Sequence, residues 1–127
     1  MERIFANEPI DKMVDKINRN FRAEDGAWIA PTLVNSWVDF GSSYETAGYQ
    51  KESNGTIRLK GKVKSGTVAY QTAVFTLPAG FRPSLIQTFP VCSNGAFGIV
   101  TVETDGVVSV VVGNNTYVSL DGISFKI

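Results

Sequence analysis

Histidine is absent from this chain of 127 residues, and cysteine occurs once. Without histidine there is no Ser-His-Asp or Cys-His nucleophilic system and no histidine-bound zinc, which leaves carboxylate pairs as the main catalytic option. A single cysteine allows no intrachain disulfide and no thiolate cluster, so neither a metal nor a cofactor is expected. That residue, Cys92, sits in FPVCS among apolar neighbours and is expected to be a buried free thiol. Net charge is lacking too: twelve Lys+Arg balance twelve Asp+Glu. The broad basic field used in non-specific nucleic-acid binding is therefore missing, and nucleic acid is not an expected partner. No apolar run approaches the roughly 18 residues of a membrane span. The opening MERIFANEP has one basic residue and no apolar core, so no secretory signal is expected and synthesis is expected in the cytoplasm. EF-hand, P-loop and dinucleotide fingerprints are absent from the sequence.

What is present divides in two. Ile10, Val14, Ile17 and Phe21 are spaced four, three and four apart, the seam of a helix written to meet copies of itself. Asn7 or Glu8 can cap this helix, and Pro9 suits its first turn. Glu8 with Lys12 and Asp15 with Arg19 add solvent-side pairs four residues apart. A helix of about 13 residues is marginal alone, so a larger contact elsewhere must hold the chains together. Residues 1–25 are accordingly expected to form a helical stalk or attachment segment, and residues 26–127 a β head. The apolar content of 43% and charged content of 19% suit one such globular head.

The head reads as about eight or nine strands separated by turn residues at short intervals, the pattern of an antiparallel β-sandwich or barrel. The expected strands are Leu33–Phe40, Gly48–Lys51, Thr56–Lys64, Ala69–Thr76, Leu85–Cys92, Phe97–Glu103, Val107–Val112, Tyr117–Leu120 and Ile123–Ile127. Asn54-Gly55 and Asp105-Gly106 fit two-residue hairpin turns with positive φ at both positions, and Asn94-Gly95 is a further turn. Alternation points Ile57, Leu59, Gly61 and Val63 inward and Arg58, Lys60, Lys62 and Lys64 outward. Val107–Val112 is apolar enough to be covered on both faces. In the last strand Ile123, Phe125 and Ile127 are expected to point inward, holding the end of the chain in the sheet.

With these segments placed, the chain resembles the receptor-binding proteins at the tail tip or baseplate of tailed phages and prophages of Gram-positive bacteria. DKINRNF is similar to the helix that opens many phage tail-fibre and baseplate proteins. LPAGFRPS, PVCSNGAFGIVTVETDGVV and YVSLDGISFKI resemble successive strands and turns of the head in that group. The resemblance implies a homotrimer on the virion, with three stalk helices in a short parallel bundle and three heads around the axis. It also implies host cell-wall saccharide and other baseplate or tail proteins as partners, and no enzymatic activity. The chain departs from some relatives in lacking a long interlaced neck.

A saccharide site needs a flat apolar face for the ring and polar side chains for its hydroxyls. Trp37, Asp39, Tyr44 and Tyr49 supply both, although Trp37 suits the core better. An alternative rim is formed by Asn94, Asn115, Tyr117 and Asp121, whose asparagines also serve as turn residues. The ladder Arg58, Lys60, Lys62, Lys64 suits a polyanion such as a glycerol-phosphate polymer, and suits better a solvent-facing or edge strand protected from edge-to-edge aggregation. A structural baseplate subunit without its own ligand is the main alternative function. A depolymerase is a third, since glycoside hydrolysis needs two carboxyls about 5–10 Å apart and Asp39 with Glu45 is the one pair near a sugar platform.

Overall fold

The computed structural model describes residues 26–127, and the expected stalk with its seam of Ile10, Val14, Ile17 and Phe21 lies outside them. The described chain is antiparallel β throughout. Its strands are β1 (Val38–Asp39), β2 (Gly48–Lys51), β3 (Thr56–Lys60), β4 (Lys62–Lys64), β5 (Ala73–Thr76), β6 (Gln87–Ser93), β7 (Ala96–Val102), β8 (Val107–Val112), β9 (Val118–Ser119) and β10 (Ser124–Lys126). They form a seven-stranded sheet in the order β1-β4-β9-β6-β7-β8-β5 and a three-stranded sheet in the order β10-β3-β2.

The two sheets are joined through one stretch of sequence. Thr56–Lys64 alternates as expected, with Ile57, Leu59 and Val63 at most 2% exposed, but it does not form one strand. Gly61 adopts φ +117° and splits it, sending β3 into the small sheet and β4 into the large one. A side chain at Gly61 would collide with the Ala47 backbone, so only glycine permits this bend. Asp121 secures it by accepting the Gly61 N–H at 2.9 Å. Both sheets contribute to one core, in which Ile57 and Leu59 of β3 meet Val63 of β4, Val100 and Val102 of β7 and Val108 and Val110 of β8.

Several expected boundaries are corrected. Leu33–Phe40 is a strand only at β1, because Asn35 and Ser36 take positive φ (55° and 71°) and the Trp37 N–H closes a turn on the Val34 carbonyl. The turn breaks the expected face shared by Leu33, Asn35, Trp37 and Asp39. Gln71 does the same to Ala69–Thr76, with φ 63°, so that β5 begins at Ala73. Ile127 is 48% exposed rather than inward, although its N–H reaches the Gly55 carbonyl at 3.3 Å. Cys92 is exposed. FPVCS is apolar at alternate and adjacent positions alike, so its composition did not reveal that Phe89, Val91 and Ser93 take the inner side. Val112 is 43% exposed, so β8 is not covered along its whole length.

The hairpins differ in kind from the expectation. At Gly55 and Gly106 φ is positive (88° and 90°), but Asn54 and Asp105 are not in that region. In each hairpin the glycine N–H closes a turn on a glutamate carbonyl, Glu52 or Glu103, at 2.9 Å. The glutamate N–H then reaches the carbonyl of Thr56 or Val107, the pattern of a three-residue loop with a left-handed glycine at its end. Side-chain bonds favour the longer loop: Asn54 Oδ1 accepts from Thr56 N–H, and Asp105 Oδ1 from Val107 N–H. The two-residue turn with positive φ at both positions is Asn94-Gly95 (51° and 76°), bridging the paired residues Ser93 and Ala96.

Candidate functional site

On β4 the inward Val63 is flanked by Lys62 and Lys64, whose side chains lie on the outer face. Pairing sets their neighbours: Lys62 lies opposite Ser119 of β9 and Lys64 opposite Val38 of β1. The Phe40 N–H bonds the Lys62 carbonyl at 2.8 Å, bringing the Phe40 ring to the same face. The loop after it is tightened by a Tyr44 N–H to Gly41 carbonyl bond, with Gly41 and Ser42 at positive φ, and this folds Tyr44 back over β4. Tyr117 arrives from the residue just before β9.

The result is three rings around one ammonium. Lys62 Nζ lies 3.5 Å from the centre of Tyr44, 4.0 Å from Tyr117 and 4.4 Å from Phe40. Phe40 meets both tyrosines edge-on, at 5.3 and 6.1 Å, and Lys64 Nζ stands 5.2 Å from its centre. Each such contact contributes about 0.5–2 kcal/mol according to its exposure, enough together to hold the lysine in one orientation. Among the described residues the ion pairs are Arg58–Glu52 and Lys60–Glu45, at 3.0 and 2.7 Å, so Lys62 and Lys64 have rings rather than carboxylates beside them. The Tyr117 hydroxyl accepts the Gly95 N–H at 2.8 Å and lies 3.7 Å from Cys92 Sγ. Its pKa is raised above the usual phenol value, first by the hydrogen bond with Cys92 and then by desolvation. Chemically the cluster offers two unneutralised cations and an exposed phenol face, with Tyr44 53% exposed.

The residues expected to form the first site are thus dispersed. Trp37 is 2% exposed and Tyr49 7% exposed, both within the core. Tyr49 stacks near Phe75 and meets Phe81 edge-on. Asp39 is exposed and accepts the Ala47 N–H at 2.8 Å, which closes the 40–47 loop. Glu45 is engaged by Lys60, so Asp39 and Glu45 each have a partner of their own. On the expected rim, Asn94 is a turn residue, Asn115 donates to the Gly66 carbonyl at 3.0 Å, and Asp121 holds the Gly61 bend. Tyr44, Tyr117 and the outward lysines, drawn from three separate stretches, are the residues the fold brings together. Phe40 was missed. Its alternation with Lys62 across an edge pair is visible only once β1 and β4 are known to be neighbours.

No protein-family model and no curated protein matches the sequence. The fold is similar to that of a phage receptor-binding protein, the class that the tail-tip resemblance of the sequence implied. One such solved structure is the receptor binding protein (gp15) of Listeria phage PSA. The two share a TM-score of 0.73 and 21% sequence identity over 98% of this chain and 80% of that one. At that identity the likeness is one of fold.

Proposed function

We propose that this chain is a receptor-binding protein of a phage tail, forming a homotrimer at the tail tip or baseplate and attaching the virion to host cell-wall saccharide without enzymatic action. The fold shared with a phage receptor binding protein carries this reading. The ring and lysine cluster supports it: Tyr44 offers a stacking face, and Lys62 and Lys64 offer charge to phosphate or carboxylate groups on a wall polymer. The seam Ile10, Val14, Ile17, Phe21 in the sequence supports self-association, and the number three is what the tail-tip resemblance implies. Single shallow sites bind weakly, and three heads repeated around a tail raise the effective concentration without new contacts. The test is binding of the purified full chain to isolated walls of candidate Gram-positive hosts. Tyr44→Ala is expected to weaken binding by about three- to tenfold per head, the worth of one aromatic contact. Lys62→Glu is expected to abolish it, and salt above about 0.1 M to weaken the wild type, because exposed charges are then screened within about 10 Å. Unchanged binding in both variants would remove the cluster as the site.

A further inference from the structure

A second recessed surface lies on the other side of the Gly61 bend, and none of its aromatic surface comes from the Lys62 cluster. Backbone pairing of residues 26–29 along β2 builds its wall. The Gly26 N–H bonds the Lys51 carbonyl at 2.8 Å, and Ile29 and Tyr49 exchange both backbone bonds at 2.8 and 3.0 Å. This holds Trp28 at the lip with 42% of its surface exposed. The hollow, of about 130 Å³, is lined by Trp28, Ile29, Thr46, Gly48 and Lys60 among others. Gly48 keeps the floor low, since a side chain there would meet Lys60 Cε at 2.9 Å. Lys60 Nζ stands 5.2 Å from the Trp28 ring centre and 2.7 Å from Glu45 Oε1.

We infer that this hollow is a subsite for a neutral pyranose, stacked on Trp28 and hydrogen-bonded at its edge by Lys60 and Glu45. Sites that engulf a small molecule run to about 300–1,000 Å³, so a hollow of this size takes one face of a single small ring. An indole is a flat apolar surface suited to the C–H face of such a ring. Lys60 donates and Glu45 accepts, as a hydroxyl pair requires, and their charges cancel, which favours an uncharged ligand here in contrast to the Lys62 cluster. An exposed ion pair is worth only about 0.2–1 kcal/mol, so exchanging it for sugar hydroxyls costs little. Tyr44 and Glu45 are consecutive, so the 40–47 loop serves both surfaces, one polymer chain being able to cross from one to the other. The inference rests on the saccharide-binding reading, yet the two fail separately.

The test follows the two indole N–H signals of the full chain by NMR during titration with methyl glycosides of neutral hexoses, a deoxyhexose and an N-acetylhexosamine. At least one sugar is expected to shift the Trp28 signal with a Kd on the order of 1 mM, as suits a single small ring. The Trp37 signal is expected to stay in place. Glu45→Ala should weaken that binding at least fivefold, and Trp28→Ala should abolish the sugar-induced shifts of Thr46 and Gly48 amides. If no neutral sugar moves the Trp28 signal, or if the Thr46 and Gly48 shifts persist in Trp28→Ala, the subsite is overturned. Wall binding that still depends on Tyr44 and Lys62 would then leave the receptor-binding reading standing.

Discussion

Trp37 shows how one residue can satisfy a sequence pattern and still serve a different purpose. It is aromatic and close to a loop rich in glycine and serine, yet its ring is interior, with Gly66 laid flat against it. A Cβ at Gly66 would run into the indole. Asn115 fixes that approach by bonding the Gly66 carbonyl at 3.0 Å while its own carbonyl accepts the Ser65 N–H at 2.8 Å. Gly66→Ala is therefore expected to destabilise the head by about 1–3 kcal/mol through overpacking, read as a lower midpoint in chemical denaturation. An unchanged midpoint would mean the Trp37 ring has room to move. The indole Nε1 has no hydrogen-bond partner among the described residues.

At the scale of elements, the hairpins explain why particular glycines cannot be exchanged. Gly106 combines φ +90° with a Cβ direction that points straight at the Leu77 carbonyl oxygen, which accepts the Arg82 Nε–H at 2.8 Å, while the Leu77 N–H donates to the Gly106 carbonyl at 2.8 Å. Gly106→Val adds the strain of a β-branched residue at positive φ, roughly 1–3 kcal/mol, to that collision. A fall in melting temperature of about 4–8 °C per kcal/mol is expected for a domain of this size. Gly95 also has positive φ (76°), but a Cβ there meets nothing within 4 Å. Gly95→Ala is expected to show the conformational strain alone and so to lower the melting temperature less than Gly106→Val. Equal losses at both positions would show that contact with Leu77 contributes nothing.

For the whole molecule, assembly is the property on which the proposed saccharide binding would depend. Light scattering on the full chain at micromolar concentration is expected to give three times the 13.8 kDa of one chain. A monomer under those conditions would remove the trimeric reading. If the proposed three-helix seam forms, Ile17→Asp would place an unpaired charge in it and is expected to lower the assembly state while leaving the head folded, since a buried charge without a partner is strongly unfavourable. Far-ultraviolet circular dichroism would then retain the β signal of the head as the scattering mass falls.

The amino-acid sequence by itself determined the class of fold and much of its inner face. Alternation along Thr56–Lys64 placed Ile57, Leu59 and Val63 in the core because side chains on a strand point to opposite sides in turn. Gly48–Lys51 and Val107–Val112 have the same limits in the structure as in the sequence reading. Local chemistry likewise located the turns at Asn54-Gly55, Asn94-Gly95 and Asp105-Gly106. Only the tertiary structure decided which turns were two residues long and where Thr56–Lys64 divides between sheets. It alone decided that Phe40, Tyr44, Lys62 and Tyr117 meet. The physical reason is that alternation records a residue's side of a strand but not the identity of the strand beside it. The neighbours of Lys62 come from residues 40–44 and 117, and their meeting depends on the β1-β4-β9 order, which is set by long-range pairing and by one glycine bend at Gly61.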